Sequence, residues 1–274
     1  MQWTNKVFLW GGLAAFLCLC CPPVHAADPF VADGLIEPHQ VVEIGSSVPG
    51  ILETVAAERG DSVKTGQVVA TLQSGVEKAT LALARARAEL ITEIRQRREQ
   101  LAFMTRKQER FKQLFENKAV PYEKMDEAET DRILAEHALQ QAIESQQIAK
   151  LEMRRAAAVL EQRTIKSTIN GVVVERFMSP GEYVEDRPVL KIAQIDPLNV
   201  EVILGVELLG SVHEGMRAQV IPQEPVGGAY PATVKVVDKV VDAASGTFGV
   251  RLELPNPRHR ISAGLKCSVD FATE

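Results

Sequence analysis

Residues 50–72 read GILETVAAERGDSVKTGQVVATL, and residues 171–193 read GVVVERFMSPGEYVEDRPVLKIA. The two stretches align without a gap at an offset of 121 residues, which places Gly60 opposite Gly181. A glycine followed by an acid between apolar runs is typical of a turn, because glycine adopts a positive φ without steric cost. The alignment therefore predicts two copies of one motif, each with about three short strands.

Five glycines of this repeat are predicted to be structural turn positions. Gly50 and Gly171 open the two β-rich runs, Gly60 and Gly181 form the equivalent central turns, and Gly66 precedes the last strand of the first copy. The second copy departs from the pattern with Arg187 in the place of Gly66. Because so small a sheet is marginal by itself, we expect the two halves to bury their apolar faces on each other.

The segment between the copies, residues 76–163, has a helical pattern. In its second half an alanine recurs every seven residues, each with a second seam residue three positions earlier: Ala128, Ala135, Ala142, Ala149 and Ala156, with Met125, Arg132, Leu139, Gln146 and Met153, and then Leu160. The first half contains a seven-residue series, Leu83, Leu90, Arg97, Met104 and Phe111, beside Ile94, Leu101 and Phe115. These heptads predict a helix pair, and the alanines predict a close approach of the two helices.

Pro121 separates the two halves of this segment. Proline cannot continue a helix interior and restricts the residue before it, so residues 117–121 are predicted to be the tip of a hairpin. Two arms of about 40 residues at 1.5 Å per residue would form a rod of roughly 60 Å. A rod of that length is more than a globular core needs.

The composition excludes several classes of protein. With 46% hydrophobic and 24% charged residues in a chain of 274, a wholly disordered protein is excluded. The 31 Lys and Arg against 36 Asp and Glu leave a net charge of -5, so no basic excess favours nucleic acid as a partner.

The N-terminus has the order of a secretory signal peptide over residues 1–26. Lys6 precedes an apolar run over residues 7–21, and Val24-His25-Ala26 provides a small-residue cleavage signal, so we expect the mature chain to begin at Ala27. The alternatives are an uncleaved anchor, for which the run is short, and a lipid on Cys20 or Cys21. After cleavage Cys267 would be the one cysteine left, so an intramolecular disulfide or a cysteine-based zinc site is not expected.

The pattern of the two half-motifs resembles the biotinyl/lipoyl domain, a flattened sandwich of two quasi-symmetric halves. The order of segments along the chain is a signal peptide, a first half-motif, a helical hairpin, a second half-motif and a β-rich tail. This order resembles the HlyD-like membrane fusion proteins, the periplasmic adaptors of RND-type and ABC-type tripartite pumps. The sequence segments that carry this resemblance are GDSVKTGQVVATL, TIKSTINGVVVERFMSPGEYV and the tail from IDPLNVEVILGV onward. The implied fold is elongated α+β, in which a lipoyl-like β-sandwich (residues 35–75 and 164–196) is split by an antiparallel coiled-coil hairpin (residues 76–163).

A small β-barrel over residues 197–274 completes the fold implied by this resemblance. The tail itself favours strands, since its β-branched runs are bounded by Gly, Pro and Asn over residues 200–206, 219–221, 232–240, 247–254 and 266–271. Lys78 lies near the interruption of the motif, but its sequence, GVEKATLALARA, favours a solvated lysine in a first helical turn over a swinging-arm attachment site.

The resemblance also implies a function. Such a protein is a non-enzymatic adaptor without a cofactor, whose partners are an inner-membrane transporter of RND or ABC type, a TolC-like outer-membrane channel and further copies of itself in a trimer or hexamer. Many such adaptors have at the hairpin tip an Arg, a Leu four residues on and a Ser seven residues beyond that. Arg110 and Leu114 match, whereas Pro121 stands in place of the Ser. The predicted partner-binding set is Arg110, Leu114, Asn117, Lys118, Val120 and Pro121.

Three other functions remain as alternatives. A periplasmic coiled-coil scaffold without a transport role would share the long hairpin. An enzyme is disfavoured because the histidines of the mature chain, His39, His137, His213 and His259, are scattered without ligand or catalytic spacing. A metal-binding adaptor is disfavoured because Met104, Met125 and Met153 fit seam positions of the helix pair.

Overall fold

The computed structural model describes residues 30–271. Its elements in chain order are β1 (Phe30–Ile44), β2 (Gly50–Val55), β3 (Ser62–Val63), β4 (Val68–Leu72), α1 (Gly75–Glu89), α2 (Thr92–Glu116), α3 (Tyr122–Glu161), β5 (Thr164–Lys166), β6 (Gly171–Arg176), β7 (Tyr183–Val184), β8 (Leu190–Gly205), β9 (Arg217–Pro222), β10 (Tyr230–Val237), β11 (Thr247–Leu254) and β12 (Lys266–Phe271). A short 3₁₀ turn, Val206–Leu208, follows β8. The predicted signal peptide and its cleavage site lie outside the described residues. No helix among residues 30–271 combines the length and the apolar character needed to cross a membrane.

The two sequence repeats form a sandwich in which both sheets contain strands of both halves. One sheet has the order β5-β4-β2-β7, and the other has the order β1-β8-β6-β3. The offset of 121 residues relates β2 to β6, β3 to β7 and β4 to β8. Because each half contributes to each sheet, neither half has a complete sheet without the other.

The backbone hydrogen bonds repeat at the same offset. The Gly60 N–H donates to the Val173 carbonyl at 2.9 Å, and the Gly181 N–H donates to the Leu52 carbonyl at 2.8 Å. Leu52 and Val173 are themselves 121 residues apart. The two glycines have φ of 95° and 93°. The two turns are therefore equivalent in conformation and in the bond that each makes to the opposite half.

The buried positions of the sandwich core also repeat at the offset of 121 residues. Positions related by the offset are buried in pairs: Leu52 with Val173, Ala57 with Met178, Val63 with Val184, and Val69 with Leu190. Gly50 and Gly171 lie at the first residues of strands and do not have a positive φ, whereas Gly66 does, at 81°. Burial of these side chains from water is the main favourable contribution to joining the halves.

The strand β1 closes the barrel and then continues into the sandwich. The strands β1-β12-β9-β10-β11-β8 form a ring, because β1 pairs with both β12 and β8. Its apolar interior has Phe271, Leu252 and Val220 among the fully buried side chains. The predicted runs of the tail correspond to the end of β8 and to β9 through β12, and Phe30–Ile44 adds a barrel strand from before the sandwich.

The insert between β4 and β5 consists of an arm made of α1 and α2 and an arm made of α3 alone. The arms are antiparallel, since Glu77 bonds to Arg163 at one end, whereas Lys107 pairs with Asp131 near the other. The predicted seam of α3 is correct: Ala128, Ala135 and Ala142 are buried, and all of its other positions are at least partly covered. The fold is thus mixed α and β, with a closed barrel, an open sandwich and a helical insert.

The prediction for the first arm was wrong before residue 91. α1 ends at Glu89, the next residue, Leu90, is extended with a φ of -68° and a ψ of 109°, and α2 begins at Thr92. Leu83 and Leu90 are exposed, whereas Leu81, Ala84 and Ala88 face α3. Beyond the break Arg97, Met104 and Phe111 do face α3, as predicted. The interruption therefore shifts the buried heptad by one residue, which a continuous count of seven does not detect.

Candidate partner interface at the hairpin tip

The tip begins with a left-handed residue that ends α2. The Lys118 N–H donates to the Phe115 carbonyl and the Ala119 N–H donates to the Leu114 carbonyl, both at 2.8 Å. Lys118 has a φ of 55°. This bonding pattern is the Schellman motif, in which the left-handed position is usually glycine. Lysine at position 118 therefore costs conformational energy that glycine would not.

The return arm, α3, starts at Tyr122. Pro121 precedes α3 with a φ of -71° and a ψ of 158°, and its carbonyl accepts a hydrogen bond from the Lys124 N–H at 3.1 Å. Asn117 donates through its side-chain amide to the Gln113 carbonyl at 2.9 Å. The proline therefore fixes where α3 begins, and it has no hydroxyl with which to replace the expected serine.

An aromatic pair spans the tip. The rings of Phe115 and Tyr122 lie edge to face, with centroids 5.9 Å apart. Both side chains remain partly exposed. The sequence analysis placed Phe115 on a seam stripe and did not single out Tyr122. One aromatic residue on each side of a short helix-helix turn is the signal that could have found this pair.

The predicted set occupies one end of the hairpin. Arg110 is exposed one turn before Leu114, whereas Leu114 and Val120 are half-buried. Asn117, Lys118 and Pro121 are exposed. The set therefore combines solvent-facing groups with two apolar side chains that also support the turn.

Ion pairs lie just behind the tip. Lys107 on α2 and Asp131 on α3 join the arms at 2.7 Å. Lys124 pairs with Glu127 at 2.7 Å, which raises the pKa of Lys124 and lowers the pKa of Glu127. Solvent-exposed pairs of this kind contribute little to stability, so they fix side-chain positions more than they hold the arms together.

The base of the hairpin is tied to the sandwich by Arg163. Its guanidinium donates to Glu77 at 2.6 and 3.0 Å and to the Pro49 carbonyl at 2.9 Å. Its carbonyl accepts from the Leu72 N–H at 2.8 Å. One residue thus connects the end of α3, the start of α1 and the strands beside them, which sets the direction in which the tip projects.

Cys267 is a free cysteine buried in the interior of the barrel. Burial, and then nearby Asp33, raises the pKa of the Cys267 thiol to about 11, which suits a packed apolar side chain. Within residues 30–271 no group of three or more His, Cys, Asp or Glu side chains is placed to hold a metal ion.

Residues 30–271 thus combine a sandwich that is interrupted by a helical hairpin with a barrel that follows it. The crystal structure of MacA from Actinobacillus actinomycetemcomitans has this fold, with a TM-score of 0.72 and 20% identity over 89% of this chain and 78% of that one. The model of the CzcB-like barrel-sandwich hybrid domain matches residues 40–194, which is more than half of the chain. The chain belongs to this family.

Sequence relatives include a metal resistance protein and a periplasmic linker protein. The cobalt-zinc-cadmium resistance protein CzcB of Cupriavidus metallidurans is 27% identical over 253 residues, which cover 90% of this chain and 45% of that protein. The antibiotic efflux pump periplasmic linker protein ArpA of Pseudomonas putida is 24% identical, over 85% of this chain and 60% of that protein. The chain spans about half the length of the curated relatives it matches.

Proposed function

We propose that this protein is a non-enzymatic periplasmic adaptor that links an inner-membrane transporter to an outer-membrane channel. The observation that carries the proposal is the hairpin, a two-arm rod inserted between the halves of the sandwich, with its exposed tip about 60 Å from its base. A rod that contributes nothing to either β core is best explained as a reaching element. The fold shared with MacA and the relationship to periplasmic linker proteins support the same function.

The proposal includes the partners and the location. The transporter is of RND or ABC type, the channel is TolC-like, and several copies of the adaptor, three or six, surround one channel. The N-terminal segment would export the chain to the periplasm as a cleaved signal peptide. The tip residues Arg110, Leu114, Asn117, Lys118, Val120 and Pro121 would contact the channel.

The test combines Arg110→Ala with Leu114→Ala in cells that depend on the pump for resistance or secretion. We expect normal export and helix content but loss of pump-dependent growth, because the exposed guanidinium and the apolar side chain beside it are removed. Arg95→Ala, which changes an exposed arginine far from the tip, is the matched control. Full activity of the double variant would place the channel contact elsewhere.

A second experiment separates the adaptor from a coiled-coil scaffold. Crosslinking in intact cells, followed by capture of this protein, should recover a transporter and a channel together. A scaffold would recover neither. The double variant at the tip should retain the transporter and lose the channel, because the transporter lies at the other end of the molecule.

A further inference from the structure

The chain passes between the barrel and the sandwich twice, once in β1 and once in β8. The strand β8 pairs with β6 of the sandwich over residues 190–193 and with β11 of the barrel over residues 198–205. The apolar cores of the two units are separate clusters of side chains. The ribbon formed by β1 and β8 therefore connects them, and a two-stranded ribbon by itself is a weak support for a fixed angle.

The ladder of this ribbon is interrupted where it leaves the barrel. On β1, Pro38 and Gln40 are two residues apart. Their partners on β8, Leu198 and Gln194, are four residues apart, so β8 has two extra residues at this point. An irregularity of this kind bends a strand and leaves backbone groups without partners in the ladder. Residues 195–197 therefore need partners from outside the ribbon to keep one shape.

A buried asparagine of the barrel supplies those partners. Asn256 lies in the loop between β11 and β12 and is 3% exposed. Its side-chain amide donates to the Ile195 carbonyl at 3.0 Å, and its backbone N–H donates to the Asp196 carboxylate at 2.8 Å. One residue of the barrel thus bonds to two consecutive residues of the interrupted segment.

The same side chain is anchored in the barrel core. The Asn256 amide also donates to the Ile261 carbonyl at 2.9 Å, and its oxygen accepts from the Ile261 N–H at 3.2 Å. Ile261 is a buried member of that core. A buried polar group that loses its partner pays the full cost of desolvation, so these bonds are held firmly. Asn256 therefore joins the interrupted segment to the barrel core and not to a surface loop alone.

We infer that Asn256 and Asp196 form a latch that fixes the angle between the barrel and the sandwich. The hairpin extends from the sandwich, so any change of that angle is amplified along the hairpin. A rotation of about 10° moves the end of a rod of about 60 Å by about 10 Å. The latch thus sets where the tip lies relative to the barrel, and it does so whatever binds at the tip.

Asp196→Ala in the full chain tests the latch, because it removes one bond to Asn256 and retains both bonds between Asn256 and Ile261. Spin labels on Glu53→Cys in the sandwich and Gln219→Cys in the barrel, both at exposed positions, report the distance between the two units by pulsed electron paramagnetic resonance. We expect one narrow distance distribution in the parent chain. In Asp196→Ala the distribution should be clearly broader.

Three further variants show whether the hydrogen bonds are responsible. Asp196→Asn keeps an oxygen that accepts from the Asn256 N–H and should restore the narrow distribution. Asn256→Ala removes the bond to the Ile195 carbonyl and should broaden it. The matched control is Asp242→Ala, since the Asp242 carboxylate also accepts from a backbone N–H, that of Ala244 at 2.8 Å, but in the loop between β10 and β11. It should leave the distribution unchanged.

A second label pair shows whether the barrel itself stays intact. Ile203→Cys and Gln219→Cys lie on β8 and β9, on opposite sides of the ring of strands, and their distance should be the same in every variant. A narrow distribution between sandwich and barrel in Asp196→Ala, and in Asn256→Ala where it folds, would overturn the inference. Equal broadening of the pair within the barrel would also overturn it, because the latch residues would then support the barrel alone. Buried Cys267 is present in every variant and sets the labelling background.

Discussion

The sandwich and the hairpin are built from one continuous stretch of chain, yet they are stabilised differently. The sandwich buries large aliphatic side chains completely, including Leu52, Leu72 and Ile192, whereas the residues that the hairpin buries are alanines. Alanine allows two helices to approach closely but removes little apolar area from water. The sandwich therefore has the larger core, and the hairpin depends more on its attachment at the base.

The largest expected effect is in the sandwich, at Gly171. A Cβ at this position would overlap the backbone carbonyl of Ala193 and lie 2.8 Å from its carbon, and neither atom can move without disturbing β8. We expect Gly171→Ala to cost at least about 2 kcal/mol and to lower the melting temperature in calorimetry by roughly 4–8 °C.

Gly75→Ala is the matched control for this change. Gly75 begins α1, and a Cβ there would meet no atom within 4 Å. We expect an unchanged or higher melting temperature, because alanine favours a helix over glycine. Equal losses from Gly171→Ala and Gly75→Ala would contradict the contrast between the tight sandwich and the open hairpin base.

The next effect tests the two equivalent turns. A Cβ at Gly60 or at Gly181 would meet no atom within 4 Å, so the cost of valine there arises from the positive φ alone. We expect Gly60→Val and Gly181→Val each to cost about 1–3 kcal/mol and to lower the melting temperature by similar amounts. An unchanged melting curve for Gly181→Val, or a lower melting temperature in only one of the two variants, would mean that the two turns do not contribute equally to stability.

The sequence predicted the sandwich better than the hairpin, for a physical reason. The repeat depends on glycine turns and buried aliphatic side chains. Both are predicted directly by the amino-acid types in residues 50–72 and 171–193. The break after Leu90 has no proline or glycine to mark it. In addition, α1 has apolar residues both at the positions that face α3 and at the positions of the predicted heptad. Periodicity alone could not decide which heptad faces α3.

The tip was predicted only to the level of its location. Pro121 marked the turn, but nothing in a linear pattern showed that Lys118 would adopt the left-handed position or that Phe115 would meet Tyr122. Arg163 was missed for a similar reason, since its partners Glu77 and Pro49 are far from it in the sequence.

A smaller effect, and one that depends on pH, is expected at the hairpin base. The pKa of Glu77 is lowered, first by a hydrogen bond from its own backbone N–H and then by the guanidinium of Arg163, while partial burial opposes both. A carboxyl whose folded pKa is depressed adds stability above its unfolded pKa and loses it as the pH falls through the folded value. Below the ordinary value of 4.5 we therefore expect the helices to melt at progressively lower temperature.

Glu77→Gln should flatten this dependence when helix content is followed by circular dichroism from about pH 7 to about pH 3. Glu89→Gln, at an exposed position near the end of the same helix, is the matched control. If both variants retain the full pH dependence of the parent chain, the link between Arg163 and Glu77 does not hold the hairpin to the sandwich.

The smallest expected effect is at the tip, where Lys118→Gly should stabilise the hairpin by up to about 1 kcal/mol. Glycine adopts the φ of 55° without the steric cost that lysine has there, and the hydrogen bonds of Ala119 and of residue 118 itself use backbone atoms that the change retains. Melting followed by circular dichroism measures the gain, and Lys112→Gly, inside α2, should instead destabilise the helix by about 1 kcal/mol. A variant that is more stable yet inactive in a pump-dependent assay would show that the lysine side chain is kept for contact with a partner, whereas a loss of stability would show that the side chain supports the turn.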